Sequence, residues 1–581
     1  MKNSEIAQIF NNIATLLEMK DENFFKTRAY RKAAENIESL GEDIADVRKE
    51  GRLSTIPGIG QALTEKIGEY LDTGKISAYE NLKREIPESL LMLVEIPSIG
   101  PKTAKLFYQH LKIKNIDELK KAAEAGRLLG LPGVKERTIE KILSGINILK
   151  EGQERMNLGA ATHTAESFLD ALKKIPEVKR ISPAGSLRRM KETIRDIDIL
   201  VDSAKPAKVM EAFVGLPQVK EIISHGETKS SVLTNENVQV DLRVVDSHCY
   251  GAALLYFTGS KNFNVKLRQL AIKKKMKVSE YGIFSIKGKG EKFLAGKTED
   301  EVLRVLGLPY IPPELREDIG EAKLFSMLNV GGVHEPPLPK LIDITDIRGE
   351  LHAHSIWSDG KNSIEEMALA AQARGYQYIA ITDHSPSLRV AGGVSVSDLK
   401  KKRKEVDTLN KKLKNFRILC GTEVEIDSDG NLDYNDATLS EFDLVIAAVH
   451  SGFEQSQAKL TKRILKAVKN KYVRVIAHPT GVHLGKREPY DVDFKEICQA
   501  AADTNTFLEI NSFPVRLDLN SANVYFAKSH GVKFSVNTDA HSLEHLDYMK
   551  FGVAIARRGW LEAKDVLNTL SLRELLETMS P

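Results

Sequence analysis

Cysteine and tryptophan are scarce in this chain, with three cysteines and two tryptophans among 581 residues. Cys249, Cys420 and Cys498 stand far apart with no paired spacing, which excludes a disulfide framework and a zinc finger and leaves them as buried apolar filler. No apolar run approaches the length that spans a bilayer, and the start, MKNSEIAQIF, lacks the apolar core of a signal peptide. The expectation is a cytoplasmic protein without a membrane partner. A strong excess of one charge is also missing: a net charge of +4 is too small to argue for nucleic acid by itself. With 42% hydrophobic and 28% charged residues the composition is that of a soluble globular protein, and 581 residues are too many for a single core.

What is present begins with Gly185 to Asp198, GSLRRMKETIRDID. Asp196 and Asp198 on a strand point to the same face, because side chains alternate with period two. Two neighbouring carboxylates repel unless cations sit between them, which makes Asp-x-Asp a cradle for Mg²⁺. The Gly185-Ser186 turn brings backbone N–H groups and a hydroxyl against a phosphate, whose charge Arg188 or Arg189 neutralises. These parts describe nucleotidyl transfer. A second alternating segment, Val238 to Val245, supplies a third carboxylate, Asp241. Three acids from two neighbouring strands can hold two divalent ions, one at a primer 3′-hydroxyl and one at the leaving pyrophosphate.

The first 150 residues have helical spacing, with Ile6, Ile9, Phe10, Ile13, Leu16 and Leu17 on one face. Three related segments punctuate them: IPGIGQALTEKI from Ile56, IPSIGPKTAKLF from Ile96 and LPGVKERTIEKI from Leu131. Each joins a Pro and a small or Gly-rich turn to an amphipathic helix carrying lysines, a shape that permits close backbone approach to a phosphate. They resemble helix-hairpin-helix motifs, which implies DNA-backbone contact at Gly58, Gly60, Gly100 and Lys102; the third copy departs, with Lys135 where the second glycine belongs. Between Lys261 and Lys297 eleven Lys or Arg face two acids, a charge bias that suits a nucleic-acid backbone beside a phosphoryl-transfer site.

Tyr256 to Asn264, YFTGSKNFN, makes the resemblance specific: over roughly its first 315 residues the chain is similar to family X DNA polymerases. The resemblance implies that Asp196, Asp198 and Asp241 form a metal-binding triad for Mg²⁺ or Mn²⁺. It also implies that Arg155, Gly185, Ser186 and Arg189 hold the incoming triphosphate. By the same match Tyr256, Phe257, Gly259 and Asn264 line the nucleotide pocket, and Arg268 contacts the template side. Gapped or primer-template DNA and deoxynucleoside triphosphates are then the partners. Lys66 matches a Schiff-base lysine of the family's 5′-deoxyribose-phosphate lyases, with Lys26 and Tyr30 also kept. Ala62 and Phe25 depart from that pattern, so Lys66 stays open between a lyase nucleophile and a surface lysine.

Beyond a Gly- and Pro-rich stretch, GGVHEPPLP from Gly331, seven apolar β-branched runs alternate with helical segments and end in metal-binding residue types. Six histidines and three acids lie after successive strands, a pattern that suggests a barrel with its site at the strand C-termini. Such a donor set suits Zn²⁺, Mn²⁺ or Fe²⁺ better than Mg²⁺. The set HAH, SDG, TDH, GTEVEI, AVHS, AHP and TDAH is similar to that of the polymerase and histidinol phosphatase (PHP) domain. The resemblance implies up to three ions. His352, His354, Glu423 and Asp539 would hold the first, Glu423, His450 and His478 the second, and Asp359, His384 and His541 the third. Arg487 and Arg516 are open between phosphate grips and surface salt bridges.

The expected fold class is therefore multidomain. A lyase-type helical domain (1–87) and a second helix-hairpin-helix subdomain (88–151) precede an α+β nucleotidyltransferase palm (152–246) and a thumb-like nucleotide-selection subdomain (247–316). A linker (317–345) leads to a distorted (β/α)7 PHP barrel (346–581). The expected function is a gap-filling DNA polymerase, monomeric, carrying a metal-dependent 3′-5′ exonuclease or 3′-end phosphoesterase. The competing readings are a small-molecule phosphatase tethered to DNA, and a barrel that only braces the fold.

Overall fold

The computed structural model describes residues 2–579 except 39, 41–42, 57, 95, 97–98, 137, 140–141, 144–145, 147–154, 288–289 and 318–337. Most of the expected linker, with His334, therefore lies outside the described residues, as do Pro57 and Pro97 of the hairpin segments. The chain divides into two compact units: Met1–Glu154, Ala171–Ser182 and Asp198–Gly307 form one, and Arg155–Asp170, Pro183–Ile197 and Leu308–Pro581 form the other. No helix among the described residues is long and apolar enough to cross a membrane.

The first unit opens with helices Lys2–Met19, Phe24–Glu38, Ile44–Lys49, Gln61–Thr73, Ser77–Glu85, Leu90–Val94, Pro101–Leu111 and Ile116–Glu124. The apolar stripe read in the first helix is its buried face: Ile6, Phe10, Ile13 and Leu16 are fully enclosed. They belong to one continuous core that runs from Ile6 to Ile146, so the two expected helical regions share their packing.

A five-stranded sheet follows, ordered Arg180–Pro183, Asp196–Asp202, Gln239–Val245, Lys229–Thr234, Val219–His225. Ile197, Ile199, Val240, Leu242 and Val244 point into the core and the intervening polar residues point away, which is the alternation of a half-buried sheet. The last two strands in that order carried no clear sequence signal. After the sheet come helices Tyr250–Thr258 and Lys261–Lys273 and a three-stranded antiparallel sheet, Met276–Ser279, Gly282–Lys287 and Gly290–Ala295. Gly251 allows the first of these helices to touch the Thr298 backbone, since a Cβ there would stand 2.2 Å from Thr298 Cα.

The second unit contains a parallel sheet of seven strands in sequential order: β1 (Gly349–Ala353), β2 (Tyr378–Ile381), β3 (Arg417–Glu425), β4 (Leu444–Ala448), β5 (Val473–Ile476), β6 (Phe507–Asn511) and β7 (Phe534–Asn537). A parallel bridge between Ala353 and Ala540, with His354 N–H donating to Ala540 O at 2.8 Å, brings the end of β7 back to β1 and closes the ring. Both faces of each strand are covered, which is why the strands read as continuous apolar runs. One end is plugged by the last helix, Leu572–Met579, whose Leu575 and Met579 pack with Leu351, Tyr378 and Leu419. The strand C-termini at the other end carry the polar residues.

Candidate functional site

In the first unit, Gly60 and Gly100 each stand immediately before a helix, and a Cβ at either would meet nothing within 4 Å. The backbone at both hairpins is therefore open to an approaching phosphate. Gly58 takes a left-handed φ of +78°, which sets the turn. Lys102 is exposed and lies 3.4 Å from Asp21. Lys26 pairs with Glu22 at 3.5 Å, and Lys66 Nζ donates to Ala62 O at 3.1 Å.

Asp196 and Asp198 share a side of their strand, and Asp241 sits on the adjacent strand of the sheet. Asp241 is held by Gln239 Nε2 at 2.9 Å and by Lys229 Nζ at 3.4 Å. A lysine beside a carboxylate that would also meet a metal keeps the charge satisfied until a cation arrives. Asn264 Nδ2 donates to Tyr256 O at 2.7 Å, joining two neighbouring helices of the candidate nucleotide pocket. Tyr256 and Phe257 meet edge to face at 5.1 Å, and the Arg243 guanidinium lies 4.3 Å from the Phe257 ring. Arg268 Nε is buried and makes no hydrogen bond among the described residues. Gly259 is the C-cap of the helix Tyr250–Thr258. Lys274, in the basic run read as a backbone-binding face, turns to donate to Leu306 O at 2.7 Å and so serves the fold.

In the second unit the Gly185-Ser186 turn is one helical turn, Gly185–Arg188, entered through Gly185 at φ +58°. Arg189 follows it and its Nε lies 2.6 Å from Glu317 Oε1. Arg155 Nε donates to Thr193 Oγ1 at 2.7 Å, which makes it a brace for residues just before Asp196.

All nine candidate ligands of the barrel converge. His352, His354 and Asp539 form one group of donors, His384, Glu423 and His450 another, and His354, Asp359, His384 and His541 a third. Glu423 Oε2 lies 3.4 and 3.6 Å from the Nε2 atoms of His352 and His354, and its Oε1 lies 2.9 Å from His478 and 3.3 Å from His450. One buried carboxylate thus stands between two donor groups. His354 and His384 each enter two groups, a sharing that spacing along the chain does not show. Glu423 lies inside β3, because its register with β4 continues through Glu425. His478 and Asp539 have φ of +27° and +53°, strained values that cost about 1–3 kcal/mol each and cluster at functional sites.

Burial opposes ionisation of Glu423 and Asp539, yet the surrounding imidazoles hold both well below the usual carboxylate range. Burial, with His541 and His384 adding to it, pushes His354 down to about 4, so its imidazole is neutral at ordinary pH. His354 Nδ1 and Nε2, His352 Nε2 and His478 Nδ1 are buried with no hydrogen-bond partner. Unsatisfied buried groups cost about 1–3 kcal/mol each, and divalent ions would satisfy the nitrogens and the carboxylates together. The residues present fit a multinuclear metal centre.

Several residues that serve this centre were not singled out by sequence. Glu509 is fully buried on β6; its Oε1 takes His352 Nδ1 at 2.7 Å and its Oε2 accepts from His478 N–H at 2.8 Å. Glu425 Oε2 lies 2.7 Å from His450 Nδ1. Asp383 accepts from Ser355 N–H and Oγ and forms a buried pair with Lys402 at 2.8 Å. The signal was available: an acid in the middle of the apolar run FLEIN is anomalous unless it is paired. Glu509 fixes the tautomer and angle of His352, so Glu509→Gln is expected to lower metal affinity about 10- to 100-fold, read by titration of the metal-free protein.

The cavity over the centre, of about 250 Å³, is lined by Asp359, His384, Glu423, His450, Arg516, Asp539 and His541, with Leu388, Val390 and Ala391 on its rim. Arg516 lies 3.5 Å from Asp539. Arg487 instead donates to Gly481 O at 2.8 Å and stacks on Phe453.

The fold and its two sites define a polymerase of the beta type joined to a PHP barrel. A model described as DNA polymerase beta thumb matches residues 253–317, a helix-hairpin-helix domain matches 1–76, a SAM-like helix-hairpin-helix tandem matches 90–147, and a PHP domain matches 350–513. The DNA polymerase/3′-5′ exonuclease PolX of Bacillus subtilis (strain 168) is 40% identical over 578 residues, 99% of this chain and 99% of that protein. The chain belongs to the PolX family. A protein of Thermoanaerobacter sp. (strain X514) named as a probable phosphatase is 32% identical over 38% of the chain and 89% of its own length. DNA polymerase lambda of Rattus norvegicus is 25% identical over 50% of the chain and 52% of its own length.

Proposed function

We propose that this chain is a DNA-directed DNA polymerase that fills short gaps, and that its barrel degrades DNA from the 3′ end as a metal-dependent exonuclease or 3′-end phosphoesterase. The observation that carries the reading is the convergence of the imidazole and carboxylate donors at one end of the barrel, six of them lining a single cavity, in a chain that also keeps three acids on adjacent strands. Neither the phosphatase tether nor the structural brace accounts for both.

At the polymerase centre, Asp196, Asp198 and Asp241 hold Mg²⁺ or Mn²⁺. Ser186, Arg189 and the Gly185 backbone receive the triphosphate, with Arg155 acting through Thr193. Tyr256 and Phe257 stand at the sugar, Asn264 at the base edge and Arg268 at the template. In-line attack needs positioning and charge neutralisation, which these groups supply. DNA is gripped outside this centre through the open hairpin backbones at Gly60 and Gly100.

At the barrel, His352, His354, Asp359, His384, Glu423, His450, His478, Asp539 and His541 hold up to three Mn²⁺, Zn²⁺ or Fe²⁺ ions. Ions held by these residues would supply Lewis acidity and activate water at neutral pH. Arg516, on the cavity wall, orients the scissile phosphate. Asp359 and His541 at the cavity edge are the more exposed ligands, so substrate enters beside them.

The test is direct. The full chain, supplied with Mg²⁺ or Mn²⁺, is expected to extend a primer on gapped DNA and, with Mn²⁺, to shorten a 5′-labelled single strand stepwise. Failure to incorporate nucleotides with either ion would sink the polymerase reading. Release of phosphate from small esters without any shortening of DNA would favour the tethered phosphatase.

A further inference from the structure

The helix Met549–Arg558 ends in Arg558, which is 4% exposed. A guanidinium so enclosed loses its hydration and is tolerated only with partners that restore it. Its partners lie on three separate stretches of the second unit. Nη1 donates to Arg189 O at 2.8 Å and to Glu317 Oε1 at 3.3 Å. Nη2 donates to Ser521 Oγ at 3.2 Å and lies 3.6 Å from Glu192 Oε2. Ser521 in turn donates its N–H and Oγ to Glu192 Oε1 at 2.9 and 2.7 Å. Burial opposes ionisation of Glu192, but Arg558 and these Ser521 donors outweigh it and hold the carboxyl below its usual range.

Of the residues so tied, Arg189 belongs to the candidate triphosphate turn and Glu192 follows it closely. Gly185, Ser186 and Arg189 lie in one short segment that runs through Glu192 directly into Asp196. Arg558 holds this segment at two points, the Arg189 carbonyl and the Glu192 carboxylate. Glu317, which takes the Arg189 guanidinium at 2.6 Å, shares the same oxygen with Arg558. The neighbouring Arg557 pairs with Glu314 at 2.8 Å and donates to Ile342 O at 2.8 Å, anchoring the chain just before Glu317. A lysine could not replace Arg558, because only a planar fork reaches acceptors on two sides at once.

We propose that Arg558 is a positioning residue of the polymerase reaction: from the PHP region it holds the Gly185–Arg189 turn in the geometry that receives the triphosphate of an incoming deoxynucleotide. The inference rests on the polymerase reading above. It makes the nucleotide affinity of one activity depend on a residue that touches neither the aspartates nor the metal ligands of the barrel.

The experiment is single-nucleotide gap filling by the full chain, with KM for the deoxynucleotide and kcat measured separately and 3′-end degradation as a control. Arg558→Ala is expected to raise KM about tenfold or more, with kcat changed less and end degradation retained. Arg558→Lys should not restore KM, and the isosteric Glu192→Gln should raise it in the same direction by less. Combining Arg558→Ala with Glu192→Gln should add little to the first change, since both break one network. A purely structural role would lower both activities and the melting temperature together and would overturn the proposal, as would an unchanged KM in either folded variant. If Arg558→Ala does not fold, Glu192→Gln decides alone. A wild-type chain that fails to extend a primer would refute the polymerase reading itself, and is seen before any variant is made.

Discussion

Replacing His352 and His354 together by alanine is expected to abolish 3′-end degradation, by about a thousandfold or more, while primer extension continues. Such a change removes several kcal/mol of metal-dependent charge stabilisation, and each 1.36 kcal/mol is a factor of about ten in rate. The geometry makes the effect large. His352 and His354 stand side by side at the end of β1, and both face the Glu423 oxygen that stands between two donor groups. Their loss also takes from the buried Glu509, Glu423 and Asp539 the imidazoles that face them, so the variant should melt earlier. Chelation of the wild-type protein should act in the same direction, because an ion that binds only the folded state at a thousand times its Kd adds about 4 kcal/mol. Activity and melting temperature, each measured with and without chelator, check both statements. Retained degradation in the double variant would remove the reaction from the barrel.

The second large effect concerns Asp196 and Asp198. Their joint replacement by alanine is expected to abolish primer extension, again by about a thousandfold or more, and to leave 3′-end degradation and the fold intact. Asp196 pairs with the exposed Arg195 at 3.3 Å, so its removal leaves that cation in solvent rather than buried. Ile197 and Ile199, which face the core between and after them, are untouched. A primer-extension assay on gapped DNA beside an end-degradation assay on the same preparation separates the two sites. Loss of degradation in this variant, with extension retained, would invert the assignment.

Much of the molecule is legible because periodicity reports burial. The alternation around Asp196 and Asp198 gives away its strand, and the seven apolar runs give away seven buried parallel strands. The run GTEVEI alternates as a strand does, and its pairing with β4 carries β3 on through Glu425. The last two strands of the five-stranded sheet, Lys229–Thr234 and Val219–His225, escaped because their burial depends on the sheet they join. Periodicity reports what one element does with its own two faces, and says little about which neighbour completes an environment.

That limit divides the two sites. Local chemistry determined the donor types, their placement at strand ends and the acids of the nucleotidyl-transfer strand, because carboxylate repulsion and metal preference are properties of the side chains themselves. The rest required the closed ring of strands. Glu509 becomes the partner of His352 only across a separation of 157 positions, and Glu423 bridges donors from four other strand ends only because the barrel curls them toward one point. Arg558 is another example: one of two adjacent arginines at a helix end, it acquires a role from a segment 369 positions away. Coulomb interactions and hydrogen bonds act over a few ångströms of space, and only the folded chain sets those distances.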